Sequence, residues 1–134
     1  GETEAEILAG VDAVLEAERS EMVCAISCNE DDSITSLTCT VARTGTLFEK
    51  FFGIPAGSSI AYLAGPPVES YFAVDSAIKI SGTRLGMYFA PAETNCGGAI
   101  LIGTQSQCAE AAKAYAEGIQ WIADHPKCTN EGRR

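Results

Sequence analysis

The chain has 134 residues, of which 46% are hydrophobic and 20% are charged, and its formal net charge at pH 7 is -9. This length and composition are typical of one folded domain and exclude an intrinsically disordered chain. The negative charge argues against nucleic acid as a ligand, because carboxylates repel the phosphate backbone. We therefore predict a single domain over residues 1–134 that binds no nucleic acid.

The first half of the chain predicts a helix, a hairpin and a short second helix. Residues 2–20 place apolar side chains on one side and carboxylates on the other, which is the pattern of an amphipathic helix. Residues 22–28 and 34–42 are rich in apolar and β-branched residues and flank an acidic turn, which predicts two antiparallel strands. Residues 44–52 predict a short helix that ends at Gly53. We expect its buried side to consist of Leu47, Phe48, Phe51 and Phe52.

The second half predicts more strands and a long final helix. Residues 59–64 predict a strand, and residues 68–75 fit either a helical turn or a strand. Three further strands are predicted at residues 77–81, 85–89 and 98–103, and a helix over 104–124. The predicted fold class is therefore α+β. It has a single antiparallel sheet of about five strands, with the N- and C-terminal helices packed on it and disulfides stabilising it.

The chain shows no membrane-spanning or secretory segment. Its longest apolar stretches, such as Ala99–Ile102, are strand-sized and too short to cross a bilayer. The acidic first residues lack the basic and apolar pattern of a secretory signal, so we expect any signal peptide to have been removed.

Six cysteines are many for a chain of this length, and they predict disulfides. They are Cys24, Cys28, Cys39, Cys96, Cys108 and Cys128. Zinc would favour paired knuckles or histidines, whereas His125 is the sole histidine, so no metal site is predicted. Local structure suggests a bridge from Cys24 or Cys28 to Cys39 and a second bridge from Cys96 to Cys108, with Cys128 anchoring the tail. Disulfides in turn predict a secreted or periplasmic protein. The alternative is a reduced cytosolic protein with buried free cysteines, since thiols behave as small hydrophobic groups.

The charge is concentrated in the first quarter of the chain. Residues 1–32 contain ten carboxylates and one basic residue, Arg19. Such a field attracts basic partners and speeds their encounter with the protein. The candidate binding face consists of Glu6, Asp12, Glu16, Asp31 and Asp32. The alternative interpretation is a solvated helix face that keeps the protein soluble.

Three further residues are candidates for a binding role. Trp121 lies on a second apolar side of the last predicted helix and is a candidate interface anchor, unless that helix packs between two other elements. Arg84, which lies between glycines, and Tyr88 are candidates for a pocket, although an ordinary turn with a solvated Arg explains the same segment.

No pattern in the sequence predicts a catalytic residue or a cofactor. His125 precedes Pro126 at the end of a predicted helix, where a structural role is expected rather than a catalytic one. The function that accounts best for charge and cysteines is a secreted or periplasmic, non-catalytic binding protein, such as an inhibitor or immunity protein, that engages a basic protein. The alternative is a small-molecule-binding domain, or a small enzyme that works without histidine, with a pocket between sheet and loops. The sequence does not indicate an oligomeric state.

Overall fold

A computed structural model describes residues 3–21, 25–90 and 96–126 of the chain. These residues form four helices and five strands. In chain order they are α1 (Glu4–Glu21), β1 (Ile26–Ser27), β2 (Thr35–Val41), α2 (Thr46–Phe52), β3 (Ser59–Gly65), α3 (Pro67–Ser81), β4 (Arg84–Phe89), β5 (Gly97–Gly103) and α4 (Gln105–Asp124).

The five strands form one antiparallel sheet with two unlike faces. The strand order is β1-β2-β3-β5-β4, so that β3 and β5 lie in the interior of the sheet. One face, called here the helical face, packs Ala61, Leu63, Ala99 and Leu101 against α3 and α4. The opposite face, called here the open face, carries Ile60, Tyr62, Ile100 and Ile102, and among the described residues Ile54 and the α2 residue Phe48 pack over it.

Helix α3 corrects the prediction for residues 68–81. The strand predicted at residues 77–81 is wrong, because Pro67–Ser81 is one continuous helix. Proline at the first helical position suits a helix, since the missing N–H would have no intrahelical partner there. The buried residues recur at helical spacing, and they are Ser70, Ala73, Val74, Ala77 and Ser81. Gly82 ends the helix in the left-handed conformation, with φ of 67°.

Helix α2 has the predicted position but not the predicted burial. None of its residues is fully buried, and Leu47 and Phe51 are 59% and 69% exposed. Phe48 is half-buried and contacts the ring of Phe52, with the ring centroids 5.6 Å apart. The short helix therefore attaches to the open face through one side and presents large apolar side chains on the other.

Helix α4 coincides with the predicted segment and begins with a capping box. The Thr104 hydroxyl accepts a hydrogen bond from the Gln107 N–H at 3.2 Å. The Gln107 side-chain carbonyl accepts one from the Thr104 N–H at 2.9 Å. Two donors that have no intrahelical partner are thereby satisfied. The helix buries Cys108, Ala111, Ala114, Tyr115 and Ile119 on the helical face.

We expect Thr104→Ala to lower the free energy of unfolding by about 1 kcal/mol, because it removes the side-chain half of this cap. Urea unfolding followed by far-UV circular dichroism measures the change. The exposed neighbour Gln105→Ala serves as the control and should stay within about 0.5 kcal/mol of the unsubstituted chain. Equal stability of the two variants would contradict a role for the cap.

Helix α1 corrects the prediction that the N-terminal helix packs on the sheet. The helices that pack on it are α3 and α4, whereas in the described part of the chain α1 has at most marginal contact with the other elements. Its Ile7 and Leu8 are 54% and 55% exposed. An amphipathic pattern therefore identified the helix but not its packing partner.

The absence of a membrane span is confirmed for the described residues. No helix among them is both long and apolar enough to cross a bilayer. The longest, α4, carries Glu110, Lys113, Glu117 and Asp124 along its length.

The predicted disulfide stabilisation is wrong, since none of the described cysteines forms a disulfide. Cys28 packs in the core of the helical face, whereas Cys39 pairs with Tyr62 on the open face, so the sheet separates the two thiols. Cys96 precedes β5, and Cys108 lies in α4, which begins beyond the other end of β5. Burial raises the pKa of the Cys39 and Cys108 thiols, which keeps them protonated. Cys24 and Cys128 lie outside the described residues.

We expect Cys28, Cys39 and Cys108 to be alkylated in denaturant without prior reduction, because their thiols are free. In the native protein Cys108 should react slowly, since it is buried and its thiolate is disfavoured. Mass spectrometry of peptides from both conditions measures the labelling. Any of the three cysteines that labels only after reduction would contradict the structure.

Candidate functional site

Four residues of the predicted acidic face, Glu6, Asp12, Asp31 and Asp32, are exposed, and the side chain of the fifth, Glu16, lies outside the described part of the chain. Two of the carboxylates also serve local structure. Glu6 accepts a hydrogen bond from the Thr3 N–H at 3.2 Å at the start of α1, where Asp12 and Glu16 follow. Asp31 accepts hydrogen bonds from the Ser33 N–H and hydroxyl at 3.1 and 2.7 Å, and these lower its pKa. Asp32 follows with φ of 57°, a backbone conformation that suits a turn. Asp31 and Asp32 thus shape the turn between β1 and β2.

The two predicted pocket residues point to opposite faces of β4. Arg84 pairs with Ile102 and lies on the open face, whereas Tyr88 pairs with Ala99 and lies on the helical face. The Tyr88 ring contacts that of Tyr71 at a centroid distance of 5.3 Å, and desolvation raises its pKa to about 12. The structure therefore does not bring Arg84 and Tyr88 into one pocket.

A buried hydroxyl pair lies where β3 ends and α3 begins. Tyr115 is fully buried, and its phenol oxygen lies 2.8 Å from the Ser70 hydroxyl. Burial raises the pKa of Tyr115 to about 12, so the phenol stays neutral over the physiological range. The chain reverses beside it at Gly65, where a Cβ would approach the Tyr115 hydroxyl to 2.7 Å. The pair holds α4 against α3 across the sheet end.

A shallow cavity of about 360 Å³ opens beside this turn. Its lining is mostly apolar, with hydroxyl or thiol groups from Ser33, Thr35 and Cys96. No charged side chain of the described residues lines it, and no group of three possible metal ligands occurs among them. The cavity offers apolar contact and weak hydrogen bonding but no acid or base.

The open face and α2 carry apolar side chains at the surface, called here the open-face patch. Tyr62, Met87 and Phe89 are half-buried on the open face, and Leu47 and Phe51 are exposed on α2. The Tyr62 and Phe89 rings lie in contact, with centroids 5.3 Å apart. The sequence predicted Leu47 and Phe51 on the buried side of α2, and no pattern in the sequence indicated that they are exposed.

A second exposed apolar surface runs along α3 and α4 on the opposite side of the molecule. This aromatic ridge consists of Val68, Tyr71, Phe72 and Trp121, which are 49% to 75% exposed. The rings of Phe72 and Trp121 lie 5.8 Å apart, and His125 stacks on Trp121 at 4.7 Å. His125 Nδ1 also lies 2.8 Å from the Trp121 carbonyl oxygen at the end of α4. Trp121 therefore lies at the surface rather than between two elements.

Comparison with known proteins gives a consistent set of relatives. No protein-family model matches the chain. The bacterial microcompartment shell protein EutL of Clostridium perfringens is 42% identical over 127 residues, which cover 94% of this chain and 58% of that protein. The crystal structure of ethanolamine utilization protein EutL from Leptotrichia buccalis superposes with a TM-score of 0.83 at 42% identity, covering 96% of this chain and 59% of the other. The trimeric microcompartment shell protein PduB, 18% identical with a TM-score of 0.59, shares the fold.

These relatives correct four of the sequence predictions. The α+β chain has the fold of bacterial microcompartment shell proteins, not that of a disulfide-stabilised secreted domain. The inhibitor, the immunity-like protein and the small enzyme are wrong as functions, and nothing found supports a basic protein partner. The secreted or periplasmic location is wrong for the same reason, because the relatives are shell proteins of bacterial microcompartments. The chain spans somewhat under three-fifths of the length of the curated relatives it matches.

Proposed function

We propose that the chain is a structural subunit of a bacterial microcompartment shell, of the EutL type. The observation that carries this proposal is the 42% identity to EutL over nearly the whole chain, together with the TM-score of 0.83 to a EutL structure. The proposed location is therefore the shell of a microcompartment inside the bacterial cell. The ethanolamine utilization named for the relative is the proposed metabolic context.

The surface of the molecule supports a role in assembly. Soluble monomers rarely expose large contiguous apolar patches, and larger ones mark interfaces. This chain has apolar side chains at the surface in two places, the open-face patch and the aromatic ridge. A protein layer built from repeated subunits needs contact surfaces on more than one side of each subunit, which these two patches supply.

The proposal is tested by asking whether the chain enters shells. A fluorescently tagged copy is produced in a bacterium that forms ethanolamine-utilization microcompartments, and the shells are purified by sedimentation. We expect the tagged chain to sediment with the shells and to appear at their surface by electron microscopy. The control is the same tag on an unrelated domain of similar size. Intact shells without the tagged chain, when that chain is soluble and folded, would refute the proposal.

A further inference from the structure

We draw no further inference here: the strongest candidate, the shallow cavity between the β1–β2 turn and the start of α3, with Ser33, Thr35 and Cys96 in its lining, supports no proposal because its one reactive group is a lone cysteine and no second observation among the described residues points to a ligand there.

Discussion

Replacing Gly98 with alanine should lower the free energy of unfolding by at least about 3 kcal/mol, the largest effect expected of any single methyl group in this chain. Gly98 lies in β5 opposite Ala64 of β3, and both strands are in the interior of the sheet. A Cβ at this position would lie 1.9 Å from the Leu63 carbonyl oxygen and 2.9 Å from the Ala64 Cα. The obstacle is backbone held by the sheet ladder, so relief requires β3 and β5 to separate.

Urea unfolding of Gly98→Ala, followed by circular dichroism, measures this loss. Gly10→Ala is the matched control, because a Cβ there meets no atom within 4 Å and alanine is a better helix former than glycine. The control should match or exceed the stability of the unsubstituted chain. A loss of less than about 1 kcal/mol for Gly98→Ala would show that the two strands can adjust, contrary to the close approach in the structure.

Parts of the fold with a strong local signal could be predicted from the sequence. Strand β5 is a continuous apolar run bounded by glycines, and α4 begins at a threonine with a glutamine three residues later. The second half of helix α3 was predicted as a strand because the segment from Ala77 to Ile80 has apolar residues on both sides of a lysine, which is typical of a strand over so short a window. Only the longer periodicity from Ser70 to Ser81 identifies the helix.

The cysteines show that their number alone does not predict disulfides. An even number of thiols in a short chain is compatible with disulfides, but it is equally compatible with small apolar side chains in a core. Cys28 and Cys108 are of the second kind, packed among alanines and leucines of the helical face. The predicted secreted or periplasmic location was wrong because it depended on disulfide formation alone.

The candidate surfaces depend on tertiary structure that no local pattern encodes. The acidic first quarter is visible in the sequence, whereas the open-face patch joins residues from α2, β3 and β4 that lie far apart in the chain. The sequence pattern of α2 is the same whether Leu47 and Phe51 face a core or a neighbouring subunit. Trp121 differs from these residues, because the sequence alone places it opposite the main apolar side of α4.

The second large effect is expected at Tyr115, where stability should depend on alkaline pH. The folded-state pKa is raised to about 12 by burial, above the value of about 10 for an unfolded tyrosine. The stabilisation that the neutral, buried phenol provides is therefore fully present below about pH 10 and is lost as pH rises towards 12. Tyr88, with a pKa raised to about 12, contributes in the same direction.

Two substitutions separate the volume of Tyr115 from its hydroxyl. Tyr115→Ala should cost about 3–5 kcal/mol at neutral pH, because it leaves a cavity among fully buried neighbours. Tyr115→Phe should cost only about 1 kcal/mol, for the lost bond to Ser70, and should flatten the fall in stability above pH 10. Urea unfolding at several pH values measures both, with the unsubstituted chain as the reference. An alkaline fall equally steep in Tyr115→Phe would mean that ionisation of Tyr115 does not cause it, and would shift the assignment to Tyr88.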